Sequence, residues 1–220
     1  MTGDIIVSNL INNSILSIEL RNDNKNNALS FFMIDKLIKL LKKKNLRKAY
    51  KMIILRGHND GAFSAGADLD DLDKLENKNN LNIYHKKLNL LLETLRKLDI
   101  IKISAVNRFC IGAGFILAMN TDICIASSNC KFSVPAALLD IKLSPDQINF
   151  LVTKFPSNLL LKEILLSGRV FSAKEAYNFK IINKIAKKGS FKPAYVEALN
   201  NILKSSNEIR DHYYKILYRV

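Results

Sequence analysis

Residues 105–126, AVNRFCIGAGFILAMNTDICIA, contain the pattern around which the rest of the chain is organised. They predict an apolar strand, a turn of small residues at Gly112-Ala113-Gly114, a buried helix, and a second strand starting near Asp122. Glycine allows close backbone approach, and a helix N-terminus presents unpaired N–H groups that favour negative charge. The turn is therefore either a site for a developing anion or an ordinary strand-to-helix turn in the core.

Length and composition predict one globular domain. The chain has 220 residues, of which 48% are hydrophobic and 25% charged. Residues 1–4 show no basic segment before an apolar run, so we predict no signal peptide, and the apolar stretch 109–119 is shorter than the roughly 20 residues that span a bilayer. Three cysteines, an odd number without metal-ligand spacing, predict neither a disulfide framework nor a metal site. We expect a cytoplasmic protein with no membrane partner.

The net charge of +14 indicates attraction to polyanions, but lysine and asparagine are spread through evident loops. Ser30 predicts the start of an amphipathic helix with Lys36, Lys39 and Lys43 on its polar side. A basic helix face without interleaved aromatic residues is usually solvated. We therefore expect no nucleic-acid partner.

Strand and helix patterns alternate along the chain, which favours an α/β architecture. The apolar runs 5–7 and 15–20 flank a turn signal at Asn12-Asn13 and predict a hairpin. Further strands are predicted at 51–56, 100–106, 130–134 and 181–185. A short helix is predicted to start near Asp70. Longer helices are predicted at 84–98, at 149–166 with a break at Pro156, from 172 onward, and between 193 and the C-terminus.

A second turn of small residues, Phe63-Ser64-Ala65-Gly66-Ala67-Asp68-Leu69, follows the strand at 51–56. Together with Ala105-Val106-Asn107 and Gly112-Ala113-Gly114 about forty residues later, it resembles the crotonase (enoyl-CoA hydratase/isomerase) superfamily. Supporting similarities are Asn27-Ala28-Leu29, Asp122-Ile123, Phe132 before Pro135, and Ser167-Gly168-Arg169 ahead of Ser172-Ala173.

The resemblance implies a fold and an assembly. Residues 1–190 would form a spiral of ββα units that binds an acyl-CoA thioester, with coenzyme A as part of the substrate and no separate cofactor. Residues 191–220 would form a shortened helical segment where relatives have trimerisation and lid helices. A homo-oligomer, either a trimer or a dimer of trimers, is the implied assembly.

The resemblance also implies site residues. The thioester carbonyl would lie between the backbone N–H groups of Ala67 and Ala113, which form an oxyanion hole for an enolate. The implied substrate contacts are Ala65, Gly66, Asp68, Leu69, Gly112, Gly114, Ile116 and Ala136.

Two departures bear on the chemistry, because Ile116 and Ala136 stand where hydratases of this family carry glutamates. Hydration needs a base to activate water and an acid to protonate carbon, each contributing about 10²–10⁴ in rate. We therefore expect chemistry other than plain hydration, for example decarboxylation or isomerisation. Asp140 and Asp146 are candidate replacement acids, although a helix-capping role fits either aspartate as well.

Other hypotheses stay open at this point. A non-catalytic acyl-CoA-binding protein would keep both turns and lose the acids. His58 and His85 lie near the first turn in sequence, but lone histidines more often pack or face solvent. Residues 62–66 loosely imitate a serine nucleophile elbow, with Asp211-His212 later, yet a loop after Gly57 separates the strand from the serine.

Overall fold

The computed structural model describes residues 3–73 and 80–217. Its strands are β1 (Asp4–Leu10), β2 (Ile15–Arg21), β3 (Met52–Gly57), β4 (Ile101–Val106), β5 (Phe109–Ile111), β6 (Ile123–Ser127), β7 (Lys131–Ser133), β8 (Phe171–Ser172) and β9 (Lys184–Ala186). Its α-helices are α1 (Phe31–Leu41), α2 (Leu46–Ala49), α3 (Leu69–Asp73), α4 (Asn80–Lys97), α5 (Ala113–Met119), α6 (Pro145–Lys154), α7 (Asn158–Ser167), α8 (Ala173–Asn178), α9 (Phe191–Leu203) and α10 (Asn207–Leu217).

The strands form two sheets. The larger has the order β1-β2-β3-β4-β6-β9, in which β1 is antiparallel to β2 and the remaining neighbours are parallel. The smaller has the order β5-β7-β8. After β4 the chain enters the small sheet at β5, forms α5, and returns to the large sheet at β6 before crossing again to β7. This alternation between two sheets and a helix is the ββα spiral that the sequence analysis predicts.

Both faces of β3 are buried, which explains the unbroken apolar run from Met52 to Leu55. Ile53 and Leu55 pack into the main core with α1, α4 and α5, whereas Met52 and Ile54 face the opposite side. Helix α9 covers that opposite side with the buried residues Tyr195 and Leu199. The C-terminal helical segment therefore supplies part of the core as well as the end of the chain.

Most predicted elements are present at nearly the predicted positions. The predicted hairpin is the β1–β2 pair, and the Ser30 hydroxyl accepts the Met33 amide at 3.2 Å to cap α1. The predicted strand at 181–185 is shifted to β9, because Ile181 and Ile182 are buried before the chain pairs with β6.

The helix predicted at 149–166 also differs from the prediction, since it begins earlier, with α6 at Pro145. A capping box explains the early start. The Ser144 hydroxyl accepts the Gln147 amide, while the Gln147 side chain accepts the Ser144 amide. None of the helices in the described ranges is long and apolar enough to cross a bilayer.

Candidate functional site

Two glycine turns meet in the structure. Gly66 has φ +106° and Gly112 has φ +51°, conformations that residues with a side chain rarely adopt. A Cβ on Gly66 would lie 3.1 Å from the carbonyl oxygen of Ile111 and 3.7 Å from the amide nitrogen of Ala113. The backbones of the two turns are therefore in contact, although about forty residues separate them in sequence.

Backbone hydrogen bonds hold the first turn in place. Ser64 pairs with β5 in both directions, donating its amide at 3.1 Å and accepting an amide at 3.0 Å. On the other side, Leu29 donates to the Gly66 carbonyl at 2.7 Å and accepts the Asp68 amide at 3.1 Å. Gly114 packs directly on Ser64, because an added Cβ would lie 2.5 Å from the serine Cβ. Small residues are thus required on both sides of the contact.

The backbone amides of Ala67 and Ala113 are left without acceptors in the described part of the chain, whereas those of Gly66, Asp68 and Gly112 donate hydrogen bonds. Ala113 is the first residue of α5, so its N–H has no carbonyl one turn earlier in the helix. Backbone N–H groups in a folded protein are nearly always paired. Two free N–H groups on adjoining turns therefore mark a place where an acceptor oxygen could bind.

Ala67 and Ala113 both line a cavity of about 100 Å³. Among the described residues that line it, only Tyr84, His85 and Gln147 carry polar side-chain groups. The predicted site residues that line it are Ala65, Gly66, Ala67, Leu69, Gly112, Ala113, Ile116 and Ala136. The cavity is therefore largely apolar, and the two residues with unpaired amides are part of its lining.

Ile116 and Ala136 both face this cavity, from different elements. Ile116 lies on α5 and is 1% exposed, and Ala136 lies in the short 3₁₀ turn Pro135–Leu139. Neither position provides a proton donor or acceptor. The cavity therefore has no carboxylate at these two positions.

The remaining predicted site residues lie outside the cavity. Asp68 is 5% exposed and forms an ion pair with Lys25 at 2.5 Å, so it joins two loops. Gly114 is a packing contact, as described above. Asp140 is exposed at the end of the 3₁₀ turn, and Asp146 is exposed in the first turn of α6. The structure does not bring either candidate acid to the cavity.

Of the three polar residues of the cavity, the sequence pointed only to His85, as a lone histidine near the first turn. The Tyr84 hydroxyl donates to the Leu29 carbonyl at 3.1 Å and is thereby satisfied. His85 Nδ1 lies 3.2 Å from Nε2 of Gln147. Burial lowers the pKa of His85, and the backbone of Lys142 partly offsets this effect. The capping-box spacing of Ser144 and Gln147 was visible in sequence, but nothing in the sequence linked it to His85.

The serine-elbow hypothesis is not supported. Ser64 is fully buried and its hydroxyl accepts the Gly66 amide at 3.1 Å, whereas His212 is exposed on α10. Within residues 3–73 and 80–217, no three histidine, cysteine or acidic side chains are arranged to hold a metal ion.

A ββα spiral whose glycine turns place free backbone amides on an apolar cavity defines a crotonase-fold protein. Within that class, the chain belongs to the enoyl-CoA hydratase/isomerase family, whose sequence model matches residues 10–218.

Comparisons with individual proteins agree with this assignment. The chain is 30% identical over 174 residues to the mitochondrial enoyl-CoA hydratase of Pongo abelii and 29% identical over 162 residues to the short-chain-enoyl-CoA hydratase of Clostridium acetobutylicum. The matches cover 79% and 70% of this chain, but only 58% of each relative, so the chain spans under two thirds of their length.

Solved structures show the same fold at low identity. An enoyl-CoA hydratase/carnithine racemase from Magnetospirillum magneticum superimposes with a TM-score of 0.90 at 22% identity, covering 99% of this chain and 82% of the other. A protein from Thermobifida fusca, solved in complex with CoA, superimposes with a TM-score of 0.83 at 23% identity, covering 97% and 83%.

Proposed function

We propose that this chain binds an acyl-CoA thioester, with its acyl group in the apolar cavity and its thioester oxygen between the amides of Ala67 and Ala113. The observation that carries the proposal is the pair of free N–H groups on adjoining turns at the cavity wall. Family membership and the CoA complex of the Thermobifida fusca relative support the choice of ligand. Donors aimed at a developing oxyanion contribute about 3 kcal/mol each to lowering a barrier.

The reaction that fits these groups is one that needs enolate stabilisation more than proton transfer. Decarboxylation of a malonyl-type thioester meets that requirement. The bond from Cα to the carboxylate breaks, CO₂ leaves, and the electron pair passes into the enolate held by Ala67 and Ala113. Water then supplies the proton that Cα takes up. Hydration is disfavoured because Ile116 and Ala136 can neither activate water nor protonate carbon.

A second candidate, a non-catalytic acyl-CoA-binding protein, is favoured by one observation. No carboxylate lines the cavity within the described residues. Such a protein would bind the thioester with the same two amides and release it unchanged.

The assembly is part of the proposal. Helix α10 exposes a set of large apolar side chains, which are Ile209, Tyr213, Ile216 and Leu217. Apolar patches of this kind commonly mark protein–protein contacts. We propose a homo-oligomer, a trimer or a dimer of trimers, and sedimentation equilibrium tests it. A monomer at micromolar concentration would contradict this part of the proposal.

The function is tested by incubating the purified protein with crotonyl-CoA and with methylmalonyl-CoA and following products by mass spectrometry, with thioester binding measured by calorimetry. Conversion of methylmalonyl-CoA to propionyl-CoA and CO₂ is the expected result. Binding without turnover would favour the non-catalytic candidate. Rapid hydration of crotonyl-CoA would refute the argument from Ile116 and Ala136, and absence of any thioester binding would refute both candidates.

A further inference from the structure

His85 presents an unpaired atom at the cavity. It lies on α4 and lines the cavity, and its Nε2 atom is buried without a hydrogen-bond partner among the residues that the structure describes. Buried side-chain polar atoms are paired in the large majority of cases. The Lys142 backbone lies near the His85 ring and favours its protonated form, but Nε2 has no partner at hydrogen-bond geometry and is open to a bound molecule.

Gln147 decides which nitrogen of His85 carries the proton. The Gln147 side-chain oxygen accepts the Ser144 amide at 3.1 Å, which leaves the NH₂ group of Gln147 to face His85 Nδ1 at 3.2 Å. An NH₂ group only donates, so Nδ1 must accept and the neutral ring carries its proton on Nε2. A proton on Nδ1 would place two hydrogen-bond donors, Nδ1–H of His85 and the NH₂ group of Gln147, next to each other without an acceptor. His85 Nε2–H is therefore a buried hydrogen-bond donor on a residue that lines the cavity.

A polar groove of about 380 Å³ adjoins the cavity, and His85 and Leu143 line both. Lys86 and Lys142 also line the groove, and neither forms an ion pair with a residue of the described ranges. The other side chains of the groove are uncharged. A ligand that extends past His85 therefore meets two ammonium groups, and no carboxylate belongs to the described lining. The adjacent Asp146 carboxylate is bonded to Asn89 at 3.1 Å.

We propose that His85, Lys86 and Lys142 make the site selective for acyl-CoA thioesters whose acyl group ends in a carboxylate, that is, monothioesters of dicarboxylic acids. The proposal rests on the proposed function, because it requires the thioester to bind at the Ala67 and Ala113 amides. The carboxylate accepts the Nε2–H of His85 and is attracted by the positive charge of the lysine pair. A hydrocarbon acyl group leaves that donor buried and unsatisfied, which is unfavourable.

Calorimetry on the full chain tests this with two matched pairs, succinyl-CoA against butyryl-CoA and glutaryl-CoA against valeryl-CoA. The carboxylate of succinyl-CoA or glutaryl-CoA is too far from the thioester for its loss as CO₂ to form an enolate. Binding is therefore measured without turnover. We expect at least one dicarboxylic thioester to bind tenfold or more tightly than its hydrocarbon partner. A hydrogen bond to a charged group supports a preference of about 10- to 100-fold.

Variants assign the preference to residues. His85→Phe keeps an aromatic ring, removes the donor, and is expected to abolish the preference for the dicarboxylic member of each pair. The double variant Lys86→Met, Lys142→Met is expected to reduce the preference. Lys87→Met is the matched control, since Lys87 is already paired with Asp35 at 2.5 Å and lies outside the groove.

Each outcome is distinguishable from failure of the proposed function. Equal affinity for both members of each pair overturns the inference and leaves the proposed function standing, whereas binding of none of the four thioesters overturns the proposed function itself. A preference that persists in His85→Phe also overturns the inference. If that variant does not fold, ¹⁵N NMR of the unmodified protein provides the test. The Nε2–H tautomer of His85 is expected, and an Nδ1–H tautomer would contradict the hydrogen-bond assignment.

Discussion

Gly66→Ala is the substitution that tests the two-turn site most directly. Gly66 has φ +106°, and its added Cβ would meet the Ile111 carbonyl oxygen at 3.1 Å beside the amide of Ala113. Backbone strain of this kind typically costs about 1–3 kcal/mol of stability. The contact also pushes the two turns apart, which displaces the amides of Ala67 and Ala113 from each other.

The expected effect on binding follows from those two amides. Each hydrogen bond to the thioester oxygen contributes about 0.5–1.5 kcal/mol net, so disturbing both costs about 1–3 kcal/mol. This corresponds to a Kd that is about 5- to 150-fold weaker. Calorimetry with butyryl-CoA measures the Kd, and urea unfolding measures the loss of stability in the same preparation.

Gly189→Ala is the matched control. Gly189 also has a positive φ, +76°, but an added Cβ would meet no atom within 4 Å. It is expected to lose about 1–2 kcal/mol of stability through strain alone and to bind butyryl-CoA as the unmodified protein does. If Gly66→Ala binds butyryl-CoA with unchanged Kd, the assignment of the thioester oxygen to the two turns is refuted.

Three further perturbations test the rest of the molecule. Ile116→Glu with Ala136→Glu restores an acid and a base, so hydration of crotonyl-CoA should rise about 10²–10⁴-fold, and no rise would show that these positions do not face the substrate. Burial lowers the pKa of His85 from 6.5, so the unfolded chain binds a proton at a higher pH than the folded chain does. The free energy of unfolding should therefore fall as pH drops below 6.5. Urea titrations from pH 8 to pH 5 should show a shallower fall in His85→Phe, and an identical slope would contradict the shift. Ser172→Ala removes the hydroxyl that accepts the Glu175 amide at 3.2 Å and should cost about 1 kcal/mol in thermal unfolding with thioester affinity unchanged, whereas equal stability would show that the cap contributes nothing.

Sequence analysis predicted the fold class and the two turns because the controlling signals are local. Glycine at 66 and 112 is needed for positive φ, and Ser30 caps a helix through an amide three residues on. Such interactions involve neighbouring residues, so a sequence pattern is sufficient to recognise them.

The candidate acids show where local signals fail. Asp140 and Asp146 were candidates because they follow Ala136, where a family glutamate is missing, by no more than ten residues. The direction of each carboxylate depends on how the 3₁₀ turn ends and where α6 starts, and both side chains are exposed away from the cavity. Spacing along the chain does not determine the direction of a side chain in a connecting segment.

By itself, the sequence determined the alternation of strands and helices, the glycine turns, and the absence of glutamates at Ile116 and Ala136. Only the tertiary structure decided that the amides of Ala67 and Ala113 are left unpaired and that His85 and Gln147, 62 residues apart, meet beside the cavity. The physical reason is that hydrogen-bond satisfaction is a property of all surrounding atoms. An unpaired donor is therefore identified only when every neighbour brought together by folding is in place.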